Sequence, residues 1–167
     1  MKKLIAVIAV FAAVLSLCAC KTKELSPDEK QSKYAAEESE RVAASIQAEN
    51  DYIDGVNEYS DNEIGKTVKG KKLVIKSESS LGYKYNVFEF NKKGNMTARF
   101  CYEFYDSIEN YKVQSKIEDR ERKLVDTDDE ARMVVYKYKE VWEQNFDELY
   151  EAYSKPEVIS LGYSIVE

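Results

Sequence analysis

The side chains able to do chemistry in this 167-residue chain are mostly carboxylates. The sequence has 31 Asp plus Glu, 25 Lys plus Arg and three Cys, but no His. Because His has the unperturbed pKa nearest neutrality, its absence excludes Ser-His and Cys-His nucleophile pairs, HExxH zinc sites and His general bases. The sequence also has no GxGxxG, P-loop or CxxC motif. We therefore expect no conventional hydrolase and no bound cofactor, and we predict that the protein is not an enzyme.

One acidic segment superficially resembles a calcium loop; it contains Asp126, Asp128, Asp129 and Glu130. An EF-hand, however, needs Gly at its sixth position, where this chain has Ala131, and Glu at its twelfth, where it has Lys137. Asp is also common in tight turns, because its carboxylate accepts hydrogen bonds from nearby backbone N–H groups. The sequence therefore predicts a hairpin turn at this position and no metal.

Two weaker patterns leave a catalytic alternative open. Cys101 alternates onto one strand face with Arg99 and Glu103, so a thiolate is conceivable there, although without His a packed, inert thiol is the favoured interpretation. A pair of carboxylates for glycoside hydrolysis could come from any of the 31 acids, and no spacing selects two of them. A carboxylate-dependent enzyme of the cell envelope is thus the alternative to a binding protein.

The first twenty residues, MKKLIAVIAVFAAVLSLCAC, carry an export signal. Lys2 and Lys3 form a basic start, and an uncharged run follows to Leu17. The segment 17–20, Leu-Cys-Ala-Cys, resembles the bacterial lipobox, whereas the register ending at Cys18 would place a bulky Leu where that motif has a small residue. The resemblance implies cleavage after residue 19 and a diacylglycerol on Cys20. We expect residues 1–19 to be a lipoprotein signal peptide and 20–26 a lipidated tether.

Cleavage at that point changes the charge of the chain. The mature protein would keep 23 basic residues against 31 acidic ones, a net charge of −8 over 148 residues. Such a chain repels phosphate backbones, so we expect no nucleic-acid partner. We expect it to sit in the cell membrane or outer membrane through the lipid on Cys20, facing away from the cytoplasm.

A long polar helix is predicted over residues 27–55. The segment Ser26-Pro27-Asp28-Glu29 is a capping box with Pro at the first helical position. The apolar stripe of the helix is thin among many charged residues, so it is too sparse for a core helix. It either lies loosely on the domain or acts as a spacer from the membrane, or it forms a partner-binding coiled coil. Residues 57–70 are polar and contain Gly65 and Gly70, which predicts a loop.

Residues 71–167 predict an α+β domain. Alternating segments indicate strands over 72–77, 83–90, 96–105, 123–125, 131–138 and 159–165. Helical patterns occur over 107–118 and from Trp142 to Tyr153. The expected fold is an antiparallel sheet of five to six strands with helices on one face, preceded by the long helix. A hairpin followed by a helix occurs twice, so an internal duplication is a further hypothesis.

The thirteen tyrosines are the remaining anomaly, since many fall on predicted strands. Cross-strand packing in the core is the plain interpretation. The functional interpretation is that Tyr83 and Tyr85, with Tyr105, line an exposed face that binds a protein, peptide or glycan, because Tyr combines large contact area with a polar tip.

Two segments are similar to the YehR-like small bacterial lipoproteins. They are Phe88-Glu89-Phe90 before a Gly-containing turn and KLVDTDDEARMVVYKYKEVWEQNFDEL near the C-terminus. The resemblance implies a small lipoprotein and no established chemistry. The sequence therefore predicts a membrane-anchored lipoprotein with a noncatalytic ligand- or protein-binding domain, with an envelope enzyme or a structural spacer as alternatives.

Overall fold

The computed structural model describes residues 26–117 and 119–167. The chain divides into two compact units, Met1–Ile46 and Gln47–Glu167. The predicted signal peptide, Cys20 and nearly all of the predicted tether lie outside the described residues. Within the described part of the chain, no helix combines the length and hydropathy needed to span a bilayer.

The long N-terminal helix, α1 (Pro27–Tyr59), begins where the capping box predicts. The Ser26 backbone N–H donates to the Glu29 carboxylate at 2.7 Å, and the Glu29 N–H donates to the Ser26 hydroxyl at 3.3 Å. All side chains of the helix up to residue 46 are exposed. This part of α1 is therefore stabilised by its cap and by local ion pairs such as Lys33–Glu37.

The predicted end of this helix at residue 55 is wrong. The helix continues through Gly55 to Tyr59 and passes into a π-helical turn over Ser60–Ile64. Gly inside a helix costs only about 1 kcal/mol. Burial of Val56 and Ile64, which are 3% and 2% exposed, contributes about 1.5–3 kcal/mol each and outweighs that cost. The compact domain accordingly begins at Gln47 rather than at residue 71.

A six-stranded antiparallel sheet forms the rest of the domain and confirms the predicted α+β class. Its strands are β1 (Lys72–Ser79), β2 (Gly82–Phe90), β3 (Met96–Tyr105), β4 (Arg122–Asp128), β5 (Met133–Tyr138) and β6 (Tyr163–Ile165). Their order in the sheet is β4-β5-β3-β2-β1-β6. The remaining helices are α2 (Ile108–Gln114), α3 (Phe146–Tyr153) and α4 (Pro156–Ile159).

Both faces of the sheet are covered. On one face of the sheet, Tyr85, Phe104 and Met133 pack against Val56 and Ile64. We call this the α1 face. Helices α2 and α3 share the opposite face, which we call the α2–α3 face, as predicted for the later helices. Tyr111 of α2 packs there against Cys101, Tyr105, Val134 and Tyr136. Phe146 and Leu149 of α3 pack against Leu73, Ile75 and Phe88. The last turns of α1 supply the cover that the sequence pattern did not predict.

Helix α3 starts four residues later than its apolar pattern predicts. Asn145 caps it, accepting from the Glu148 N–H at 2.9 Å in a capping box. Trp142 therefore lies in the preceding loop rather than on the helix. The predicted C-terminal strand is also shorter, because Pro156 starts the turn of helix α4 and leaves Tyr163–Ile165 as β6.

Candidate functional site

The three tyrosines singled out by the sequence do not share a face. In the β2–β3 register Tyr83 pairs with Phe104, and Gly82 pairs with Tyr105, so strand alternation puts Tyr105 on the α2–α3 face. Tyr85 and Tyr105 are 1% and 3% exposed, because Tyr85 packs edge-on against Phe104 and Tyr105 lies beside Tyr111. The expectation of an exposed face that includes these two residues is wrong, and only Tyr83 is partly exposed.

Tyr83 lines a cleft of about 870 Å³ at one end of the α1 face. The walls come from α1 after Gln47, from the β1–β2 turn, from the end of β3 and from the β4–β5 turn. We call it the tyrosine cleft, after Tyr52 and Tyr83, whose ring centroids lie 5.9 Å apart. The charged side chains that line it are Glu49, Asp51, Glu78, Asp106, Glu130 and Arg132.

Gly82 makes the floor of the cleft possible. Its φ of 136° is a conformation that side chains disfavour, and an added Cβ would lie 2.0 Å from the Phe104 carbonyl oxygen. The same Cβ would lie 2.9 Å from the Tyr52 hydroxyl. Glycine at this position therefore lets the β1–β2 turn approach both the end of β3 and the ring of Tyr52.

The Tyr52 hydroxyl is buried and has no hydrogen-bond partner in the described part of the chain. Burial raises the pKa of this phenol, and the negative charge of Asp106 raises it further. Tyr52 therefore stays protonated at neutral pH. Buried polar atoms almost always have a partner, so this unpaired hydroxyl, packed against Gly82 behind the cleft surface, is unusual.

Arg132 sits at the end of the β4–β5 turn with a positive φ of 49°, which is rare for a residue with a side chain. Its backbone carbonyl accepts from the Tyr105 N–H at 3.0 Å, and its guanidinium donates to the Asp106 carbonyl. In the same turn the Asp128 carboxylate accepts from the Glu130 and Ala131 N–H groups, each at 2.9 Å. The acidic segment thus folds as the hairpin turn that the sequence predicts.

The cleft is chemically suited to a cation. Five carboxylates against one guanidinium give it an excess of negative charge, and a concave site of one sign concentrates ligands of the other. Aromatic ring faces also attract cations. The Lys76 ammonium lies 4.7 Å from the centroid of the Tyr83 ring, so this ring already takes part in one such contact.

Cys101, which the sequence suggested as a conceivable nucleophile, and its neighbour Glu103 do not line the cleft but lie on the α2–α3 face. Cys101 is 2% exposed, and burial, together with the nearby Glu103 carboxylate, raises the pKa of its thiol to about 12. Burial alone would raise the pKa of Glu103, but hydrogen bonds from Tyr105 and Arg122 and the charge of Lys84 bring it below its usual range. A neutral thiol and an ionised carboxylate are not a nucleophile and a general acid.

The sequence pointed to one wall of the cleft through Tyr83 and missed the others. Tyr52, Asp106 and Arg132 come from three separate segments, and no periodicity links them. The available signal was local: Arg132 occupies the end of a tight Asp-rich turn, where Gly is the usual residue.

No family model, curated protein or solved structure matches this chain. The resemblance of two of its segments to YehR-like lipoproteins therefore stays a prediction.

Proposed function

We propose that this chain is a membrane-anchored lipoprotein whose extracytoplasmic domain binds a protein or peptide ligand in the tyrosine cleft without chemically changing it. The observation that carries the proposal is the cleft itself, which measures about 870 Å³ and is walled by two tyrosines and five acidic residues. Ligand sites are typically concave, with aromatic walls and a few converging polar groups.

The ligand contributes a basic side chain, lysine or arginine. Glu78 pairs with Tyr83 in the β1–β2 register, and Asp106 lines the cleft just after the end of β3, so both supply the opposite charge. A Lys or Arg stem also covers apolar surface such as the Tyr83 ring while its head reaches the carboxylates.

The lipid supports a role at the envelope. Two acyl chains on Cys20 satisfy the requirement of two hydrophobic signals for stable anchoring. The domain would then meet its ligand at a membrane surface, and its own net negative charge would keep it from anionic headgroups.

The test is calorimetric titration of the lipid-free mature chain with a lysine-rich peptide, and with a glutamate-rich peptide of equal length. We expect the lysine-rich peptide to bind and added salt to weaken it. Glu78→Gln and Asp106→Asn each remove one charge contact, worth about 1 kcal/mol, and should weaken binding about five-fold.

Glu121→Gln is the matched control, since it removes one charge at an exposed position that does not line the cleft. Equal binding by Glu78→Gln, Asp106→Asn and the unaltered chain would overturn the assignment of the cleft. Binding of the glutamate-rich peptide in place of the lysine-rich one would overturn the assignment of the ligand.

A further inference from the structure

Arg99 lies on the α2–α3 face, away from the tyrosine cleft, and is enclosed by aromatic rings. It faces Phe88 in the β2–β3 register. The central carbon of its guanidinium lies 3.8 Å from the ring centroid of Tyr138, 4.2 Å from that of Trp142 and 5.4 Å from that of Phe88. The rings hold the guanidinium over their faces and leave its in-plane N–H groups for hydrogen bonding.

Those N–H groups are poorly satisfied. The Nη2 atom donates to the Asn86 side-chain oxygen at a long 3.4 Å, and Nε is buried with no acceptor among residues 26–117 and 119–167. No described carboxylate forms an ion pair with Arg99, whereas Arg122 lies 2.6 Å from Asp119 and 2.8 Å from Glu103. Buried N–H groups are almost always paired with an acceptor. The described residues supply none for Nε of Arg99, so we expect the acceptor to come from a bound molecule.

The surroundings of Arg99 favour an anion with an apolar part. Lys84, on the same face of β2, is paired with Glu103 at 3.2 Å, whereas Arg99 is paired with no described carboxylate, and Asn86 beside it is partly exposed. Trp142 is 49% exposed and Val141 is 38% exposed beside it. A positive edge therefore adjoins an exposed apolar surface, in a protein whose net charge is negative.

We propose that Arg99 forms a second binding site, which takes a carboxylate carried on a ring-shaped group. The carboxylate displaces the Asn86 side chain from its long contact with Nη2 and then accepts from Nε and Nη2 together, and the ring lies against the exposed part of Trp142. The planar fork of a guanidinium matches the two oxygens of a carboxylate. A doubly charged phosphate is disfavoured, because one guanidinium edge leaves its second charge unpaired.

Trp142 is the only tryptophan of the chain, so its fluorescence reports on this site. The probes are benzoate, glucuronate and the neutral benzamide, added to the mature chain at constant ionic strength. We expect a saturable fluorescence change with benzoate or glucuronate and no such change with benzamide. The relative binding of benzoate and glucuronate tells whether the carboxylate comes from an aromatic acid or from an acidic sugar. Binding of either acid supports the proposal if it depends on Arg99.

Two variants decide the role of Arg99. Arg99→Gln removes the charge-assisted pair and should raise the dissociation constant at least about ten-fold. Asn86→Asp keeps Arg99 but places an internal carboxylate beside it, so it should fill the site and abolish binding without loss of the fold. Arg120→Gln, which removes an exposed arginine, should bind as the unaltered chain does.

The proposal is overturned if the response to both acids is linear rather than saturable, or if benzamide gives the same response. It is also overturned if Asn86→Asp binds the acids as tightly as the unaltered chain. None of these outcomes bears on the tyrosine cleft, since the two sites lie on opposite faces of the sheet.

Discussion

Replacement of Glu103 by Gln removes a negative charge that is 5% exposed and is shared by two cations. The carboxylate accepts from the Tyr105 hydroxyl, and it lies 2.8 Å from Arg122 and 3.2 Å from Lys84. Gln has nearly the same shape and keeps one oxygen acceptor. Its amide NH₂ is a donor, however, and it would face another donor where Glu103 has a carboxylate oxygen. The variant therefore tests what the buried charge contributes to the stability of the fold.

The expected loss follows from how well each cation is compensated afterwards. Removal of one partner from a fully buried ion pair costs about 3–5 kcal/mol. Here Arg122, which is 24% exposed, keeps its ion pair with Asp119 at 2.6 Å. The Lys84 side chain is 40% exposed, so water compensates its charge in part. We therefore expect the free energy of unfolding to fall by about 2–3 kcal/mol, which lowers the Tm by about 5–10 °C in a domain of this size.

The assay is urea unfolding followed by circular dichroism, with the slope of the transition checked for equality between variants. Glu89→Gln is the control on strand β2, because Glu89 is exposed and its loss should change stability by less than about 0.5 kcal/mol. A loss below about 1 kcal/mol in Glu103→Gln would show that the buried charge is not what holds Arg122 and Tyr105 in place.

The same network makes stability depend on pH. The pKa of Glu103 is lower in the folded chain than its ordinary value. Its contribution is therefore present above the pKa of the unfolded chain and is lost as pH falls through the lower folded pKa. The stability difference between the unaltered chain and Glu103→Gln should shrink as the pH falls below that range. A difference that stays constant down to pH 2 would contradict this account.

Three further predictions concern other parts of the chain. Cys101, with its thiol pKa raised to about 12 by burial, should resist a thiol reagent at pH 8 until urea unfolds the domain; rapid labelling of the folded protein would contradict its packing. Arg132→Gly should be more stable to urea than Arg132→Ala by about 1–2 kcal/mol, because both lose the guanidinium and only Ala keeps the positive-φ cost. Cys20→Ser should move the protein from the membrane fraction to the soluble fraction, and persistent membrane association would exclude lipid attachment at this residue.

The start of α1 and the positions of the central strands could be predicted because their causes are local. Ser26 and Glu29 cap α1 within one turn of chain, and alternation places Met96–Tyr105 in a strand whatever lies around it. The wrong start of α3 was a missed local signal, the capping box of Asn145 and Glu148, whereas the wrong end of α1 came from a distant contact. Gly55 looked like a helix end, but packing of Val56 onto the sheet carries the helix past it.

The sequence by itself determined the lack of His chemistry, the α+β class and the pairs of residues that share a strand face. Tertiary structure alone decided which of those faces are open. Tyr85 is covered by the end of α1, from a distant part of the chain, and Tyr105 is covered by α2, which follows β3 directly. Tyr52 and Arg132 line the same cleft at one end of the sheet. The physical reason is that side-chain alternation assigns a residue to a face of the sheet, whereas its burial depends on what packs against that face. The packing is set by contacts between segments whose sequences share no pattern.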